Sequence, residues 1–382
     1  MRAARTSFLQ RARRGSVLII VMVTLVFTAY ALIAFMEKAS NDLLVEQRDA
    51  TARRLRREAY SALEVTLAVL EDFRLAGNGL RSPAEGWGDP LGFAGYEPSE
   101  GRRVEITFED ESGKVSLPRA NANVLSALFK NWDVTEGDAD ELADALMGWM
   151  KKEHIYSTSV SPRYEQGEIP YVAPMRPVRS YDELAAIEKV RDTFYDEDGR
   201  PNERWLRFVD SISLFDFSRP NINGAKRDTL AAVGQYDDTQ QREVLDYLQG
   251  TGGYASDGPR FFQNNEEAAA ITGPSGSTGG FAATISALRI HLTVHEGKAR
   301  YRLSVVVTPQ GGGASIVQAN ATTSRAELSA ANNPPAQQQQ QQQPNPNNRQ
   351  SGNTPPNLRY PFTLLEIREN DEIAPSLPSP AP

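Results

Sequence analysis

Hydrophobic and polar positions change period several times along the chain. From Ser16 to Met36 no residue is charged, and Val17, Leu18, Ile19, Ile20, Val21 and Met22 open an apolar run that continues through Leu25, Val26 and Phe27 to Phe35. A helix needs about 20 apolar residues to cross the hydrocarbon of a bilayer, so this run is long enough to span one. Glu37 to Ala76 contains neither Pro nor Gly. There Leu43, Leu44, Leu55, Leu63, Leu67 and Leu70 recur near helical spacing, with Glu46, Arg48, Arg53, Arg54, Arg56, Arg57 and Glu58 on the other faces. Gly77-Asn78-Gly79 is a stop signal. The spacing predicts one helix over 16–76, about 90 Å long if continuous, with its first half in lipid and its second half laid on a sheet.

Residues 77–101 are rich in Gly and Pro and read as a loop. Val104, Ile106 and Phe108 then alternate with Arg103, Glu105, Thr107 and Glu109, which predicts a strand. Asp110-Glu111-Ser112-Gly113 turns the chain, and Lys114–Leu117 is expected to pair back on that strand. Helical periodicity follows: Val124–Trp132, Thr135–Lys152, Tyr181–Val190 with Ser180 as N-cap and Glu183 in the capping-box position, then a pair at Asn223–Ala232 and Thr239–Leu248. Leu288, Ile290, Leu292 and Val294 restore strict alternation, Glu296-Gly297-Lys298 turns, and Tyr301, Leu303, Val305 and Val307 answer as a hairpin. Ile316–Thr322 is a further strand candidate, and Tyr360–Arg368 reads as a final strand whose Pro361 suits a sheet edge.

Strands interrupted by a helical block imply one α+β domain with an insertion rather than two tandem domains. The organisation expected is a leader at 1–15, the long helix at 16–76, the first part of an α+β head at 77–117, an inserted α-helical domain at 118–284, and returning strands at 285–330. A low-complexity segment at 331–358, with seven consecutive glutamines at 337–343, cannot bury a core and is expected to be disordered. The last strand and a Pro-rich tail occupy 359–382. The ends of the inserted block, near 117 and 285, have to meet in space.

Charge and composition narrow the function. The 382 residues carry a net charge of −8 and no cysteine, so there is no disulfide, thiolate metal site or Cys nucleophile. Nucleic acid, which demands clustered Lys and Arg, is not an expected partner. Arg2, Arg5, Arg11, Arg13 and Arg14 precede the apolar run, and 1–36 contains no acid. Excess Arg stays cytoplasmic, so the N-terminus is expected inside and 37–382 outside. The apolar run is too long for a cleaved secretory signal, whose apolar region is about 7–15 residues. A plain single-pass anchor fits it. So does a type IV prepilin site, because Arg13-Arg14-Gly15-Ser16 puts a glycine directly before the run, where a prepilin peptidase cuts between Gly15 and Ser16 and leaves the apolar helix in place. Such a cut removes five arginines and takes the net charge from −8 to −13.

The order of basic leader, Gly15, apolar helix, strand pair, helical insert and hairpin resembles the type II secretion system minor pseudopilin K family, the general secretion pathway protein K family, over about residues 11–310. Four stretches carry the resemblance: Glu111-Ser112-Gly113-Lys114-Val115-Ser116-Leu117, Leu142-Ala143-Asp144-Ala145-Leu146-Met147-Gly148-Trp149, Val178-Arg179-Ser180-Tyr181-Asp182-Glu183-Leu184, and Asn221-Ile222-Asn223-Gly224-Ala225 leading into Leu230-Ala231-Ala232. The family's apolar fifth mature residue, where major pseudopilins have Glu, is Ile20 here. Three features depart from it: Ser16 as first mature residue, Met150-Lys151-Lys152-Glu153 where the family has an acidic cluster, and the low-complexity stretch at 332–357. The resemblance implies a non-enzymatic subunit of the inner membrane, placed at the tip of a periplasmic pseudopilus, with minor pseudopilins I and J as partners, capping or initiating a fibre that exports folded proteins across the outer membrane. The other readings are a minor pilin of a type IV pilus and an unprocessed anchor with a periplasmic binding head.

Candidate chemistry is sparse. His291 and His295 share a strand face but stand about 13 Å apart, too far to share a metal. No Gly-x-Ser-x-Gly, phosphate-binding loop or His-Glu-x-x-His occurs. The best calcium candidate is Asp196 and Asp198 in Asp196-Glu197-Asp198-Gly199, although the spacing is not that of an EF-hand and a solvated acidic turn is the stronger reading. The 221–248 helix pair resembles a helix-hairpin-helix but carries Asp237-Asp238 at its hairpin, which suits a protein contact rather than a DNA backbone.

Overall fold

The computed structural model describes residues 6–159, 162, 164–166, 170–273, 277–309, 313–316 and 361–372, with side chains from residue 18 onward. The glutamine-rich tract, most of the Ile316–Thr322 segment and the Pro-rich tail lie outside the described residues.

One helix, α1 (Thr6–Gly77), runs through Gly15 and Ser16 without a break. It starts ten residues before the predicted helix, because nothing in the arginine-rich segment stops it. Asn78 (φ 53°) and Gly79 (φ 136°) end it in left-handed conformations, with Gly79 N–H on the Arg74 carbonyl. The head begins with α2 (Pro90–Ala94), a one-turn helix within the predicted loop, capped by Asp89. A four-stranded antiparallel sheet follows, in spatial order β1 (Arg102–Asp110), β5 (Leu288–Glu296), β6 (Ala299–Pro309) and β8 (Phe362–Glu369). The predicted hairpin is β5–β6, turned at Gly297 (φ 59°). Residues 288–296 thus return to pair with a strand laid down before residue 111. The final strand lies on the sheet edge, as Pro361 requires.

The distal part of α1 buries Leu55, Ala59, Ala62, Leu63, Leu67 and Leu70 against Ile290, Leu292, Val294, Leu303 and Val305 of the sheet. Each fully buried leucine contributes about 1.5–3 kcal/mol, and the two alanines allow close approach.

Between β1 and β5 lie β2 (Val115–Ser116), α3 (Ala122–Lys130), α4 (Glu136–Met150), α5 (Glu188–Phe194), α6 (Glu203–Ser211), β3 (Ile212–Ser213), β4 (Asp216–Phe217), α7 (Arg227–Gly234), α8 (Asp238–Gln249) and α9 (Asn265–Thr272). One of the expected pairings is corrected. Lys114–Leu117 does not fold back on β1: β5 occupies that edge, and Val115 and Ser116 pair in parallel with Ile212 and Ser213. The reason is hydrophobic, since Val115 and Leu117 belong to the core of the helical block with Leu125, Phe129, Leu142 and Leu146. That core is aromatic, with Trp205 stacked on Phe208 and Phe194 packed against both. The predicted helix at 181–190 divides into a 3-10 turn over Tyr181–Ala186 and then α5. Ser180 caps it, but Glu183 turns away from the capping box to other partners. The pair α7 and α8 begins at Arg227 and Asp238, and α8 carries a capping box between Asp237 and Gln240. The short α6 and α9 were not anticipated from the sequence. A further two-residue strand, β7 (Ala314–Ser315), pairs with β4.

Candidate assembly surface and its charged junction

The proximal part of α1 is the exposed apolar surface of the protein. Leu18, Ile20, Leu25, Phe27, Leu32, Phe35 and Met36 are each more than half exposed, and none of the most apolar window of the helix is buried within the chain. By length and composition this helix can cross a membrane. Gly15 and Ser16 sit on its backbone just before the exposed run.

Two polar clamps hold α1 to opposite edges of the sheet. On the β1 edge, buried Glu58 accepts from Tyr96 Oη (2.6 Å), Ser99 N (3.2 Å), Ser99 Oγ (2.7 Å) and Arg102 (2.8 Å), and Arg102 also bonds Glu296 (2.9 Å). Burial opposes the charge on Glu58, but the donors from Ser99, Tyr96 and Arg102 outweigh it and hold the carboxyl down at about 2. On the β8 edge, Glu369 accepts from Arg56 (2.8 Å) and Tyr60 Oη (2.6 Å).

Where the sheet meets the helical block, a line of charges runs from half-buried Glu109 and Glu366 to fully buried Glu111 and Lys114. Arg289 of β5 reaches Glu111 (2.6 Å) and Glu366 (2.7 Å), and Lys114 lies between Glu109 (2.6 Å) and Glu111 (3.4 Å). Burial works against the Lys114 ammonium, yet the negative charges of Glu111 and Glu109 raise it above its usual range. Asp110 accepts from Ser112 N (2.9 Å), Ser112 Oγ (2.6 Å) and Asn221 Nδ2 (2.7 Å). Burial pushes its carboxyl up to about 6 against the pull of these donors.

The four stretches singled out in the sequence meet in two pairs. In the first, a Cβ on Gly113 would come within 2.2 Å of the Gly224 carbonyl oxygen, so only glycine lets Glu111–Leu117 touch Asn221–Ala225. Asn221 N–H donates to the Ser112 carbonyl, and Asn223 bridges the carbonyls of Phe262 and Ala283. In the second, Trp149 Nε1 donates to Glu183 (3.0 Å), which also takes Arg176 (3.0 Å), so Leu142–Trp149 is tied to Val178–Leu184. Asp144, buried in α4, accepts from His154 Nε2 (2.9 Å), Ser157 N (2.8 Å) and Thr158 N (2.8 Å), which fastens the segment after α4. Its carboxyl is lowered: burial opposes this, and the bonds from Thr158, Ser157 and His154 prevail.

The calcium candidates do not make a cage. Asp196 Oδ1 accepts the Arg200 N–H (2.7 Å) within a turn closed by Gly199 at φ 73°, and Asp198 pairs with the Arg200 guanidinium (3.3 Å). Among the described residues no three His, Asp or Glu side chains converge as a metal would require. At 196–198 the two carboxylates are instead engaged by Arg200. His291 and His295 lie beside Glu109 (3.6 Å) and Glu105 (3.9 Å) of β1, apart from each other.

A long membrane-competent helix packed on an antiparallel sheet, with a helical block between strands, is a pilin-like α+β arrangement. Residues 109–197, which include three of the four stretches above, match the family model of the type II secretion system (T2SS), protein K. No curated protein matches the chain in sequence. Among solved structures, the GspK-GspI-GspJ complex from the enterotoxigenic Escherichia coli type 2 secretion system contains a chain similar to this one at 11% identity and a TM-score of 0.48, covering 72% of this chain and 97% of that one.

Proposed function

We propose that the protein occupies the tip of the pseudopilus, where it caps the fibre or initiates its assembly for export of folded proteins across the outer membrane. The observation that carries this reading is the protein K match at 109–197, on a head whose only membrane-competent element among the described residues is α1. The apolar surface of Leu18–Met36 needs cover, first from lipid and then, once a subunit leaves the bilayer, from like helices. Ile20 fits an end position. A Glu there would seek the N-terminal amine of a neighbour, and this chain does not need one. In this reading a prepilin peptidase cuts between Gly15 and Ser16, the N-terminus faces the cytoplasm, the head lies in the periplasm, and minor pseudopilins I and J are the partners. The protein acts by packing, with no catalytic residue.

The test is mass spectrometry of the mature N-terminus, combined with co-purification from the native host. A chain beginning at Ser16 that brings down pseudopilins I and J is expected. A chain still beginning at Met1 or Arg2 overturns the processed-subunit reading, and loss of I and J from a processed chain overturns the tip reading.

A further inference from the structure

Between the apolar run and the head, α1 carries charges in a regular arrangement. Glu37 and Arg48, Lys38 and Asp49, Asp42 and Arg53, and Glu46 and Arg57 are each eleven residues apart, and each pair is opposite in sign. Arg53 and Glu64 extend the series, and from Glu37 to Glu64 no two like charges share this offset. Eleven residues make three turns at about 3.67 residues per turn, so both members of a pair lie on nearly the same face, about 16 Å apart along the axis. Asp42, Glu46, Arg53 and Arg57 are exposed, while Leu55, Ala59 and Ala62 bury the sheet-facing side. At about 100° per residue the four charges fall within about 60° of one another, on the side away from that buried stripe. None of these four makes an ion pair among the described residues. Arg54, Arg56 and Glu58, by contrast, are tied to the head.

We propose that residues 37–57 form a charge register for the parallel anchor helix of a neighbouring fibre subunit, one that stands three turns lower and carries cations on the turns above its own span. In that position Glu37, Asp42 and Glu46 face cations at the places Arg48, Arg53 and Arg57 hold in this chain. Anionic lipid does not fit the same surface. Arg48 lies about 18 Å beyond Met36 along the helix, whereas the headgroup layer is about 5–7 Å deep on each side. The carboxylates of Glu37, Asp42 and Glu46 would also meet the headgroups first. The stagger is about half the ~30 Å hydrocarbon thickness, so two helices inserted to equal depth cannot adopt it. The register is reached when one subunit has moved outward, and in this respect the inference rests on the fibre reading.

The probe is a second copy of the full chain, which carries the required cations at the required places. The protein has no cysteine, so single cysteines report without background. Ala39 and Ala50 share the offset. Full-length A39C and A50C proteins with different tags are mixed in detergent micelles, which lack the fixed planar thickness of a bilayer, and treated with a short bis-maleimide. The 39–50 product is expected to exceed the 39–39 and 50–50 products. Reversal by D42R/E46R in the A39C copy is expected to lower it about ten-fold, the sum of several exposed pairs. R53E/R57E in the A50C copy is expected to restore it, and salt near 1 M, where the screening length is about 3 Å, to suppress it. Equal yields for all three products, or a 39–50 product indifferent to reversal and salt, overturns the register. If the register fails while pseudopilins I and J still co-purify, the tip reading stands without it. If the 39–50 product behaves as expected while co-purification fails, the tip reading alone falls.

Discussion

Replacing Arg289 by Met tests whether the charged line beneath the sheet holds the head to the helical block. Its side chain is 14% exposed, and the guanidinium bonds Glu111 and Glu366 at 2.6 and 2.7 Å. Without it, Glu111, itself 2% exposed, keeps only Lys114 at 3.4 Å, and its Oε2 has no hydrogen-bond partner. Removing one partner of a buried pair typically costs about 3–5 kcal/mol, because the other charge stays buried. Glu366 retains Arg368 at 2.8 Å, so the lower end, about 3 kcal/mol, is expected. Urea unfolding of the full chain in detergent reports it through tryptophan fluorescence. Trp87 lies in the head core, and Trp132, Trp149 and Trp205 lie in the helical block. The double variant R289M/E111L removes the orphaned carboxylate and leaves Lys114 paired with Glu109 at 2.6 Å. It is expected to recover at least about 1 kcal/mol relative to the single variant. A single variant within about 1 kcal/mol of wild type, or a double variant worse than the single, would refute the reasoning.

Leu67→Ala, at a position 1% exposed under the sheet, is expected to cost about 2–5 kcal/mol in the same unfolding assay. Glu58, held down at about 2, contributes stability that is complete above about pH 4.5 and is lost as pH falls through its folded value. Glu58→Gln should flatten the acid limb of a stability-against-pH curve between about pH 4.5 and 2 while lowering stability at neutral pH. Glu183→Ala strips Trp149 Nε1 and Arg176 of their shared acceptor and is expected to cost about 1–3 kcal/mol, read by thermal unfolding. Gly113→Ala, whose Cβ would meet the Gly224 carbonyl, should lower the yield of folded protein, as judged by limited proteolysis between residues 113 and 224.

Strict alternation made β5 and β6 legible, and unbroken helical spacing made α1 legible, because both patterns are local. The partner of β2 was not. Val115 pairs with Ile212, and nothing in either neighbourhood states a parallel contact across α3 to α6. Helix α6 was missed because it follows directly on an acidic turn that reads as loop, although Trp205 and Phe208 on one face were a usable signal. The junction misled in another way. By alternation Glu109 and Arg289 belong to the polar face of their strands, and that face looks solvated until the helical block covers it. The four family stretches could be picked out singly, but their meeting in pairs is a tertiary fact. At Asp196 and Asp198 composition left an acidic turn as the stronger reading beside a calcium loop, because the two share residue types, and the bonds to Arg200 are a tertiary detail that composition does not carry.

The clamps on either side of α1 have a mechanical meaning. A pull along the helix would enter the head through Glu58 and Arg102 at one sheet edge and through Arg56 and Glu369 at the other. The hydrogen bonds between β1, β5, β6 and β8 share that load across the full width of the sheet. The helical block leaves and rejoins the sheet at neighbouring points, with Ser112 N–H on the Ala287 carbonyl and Ser286 N–H on Ser112 Oγ. Both of its attachments therefore move together, and tension is expected to pass beneath the block without stretching it. The chain joins a stressed frame to an unstressed passenger, so traction on the anchor can raise the block intact.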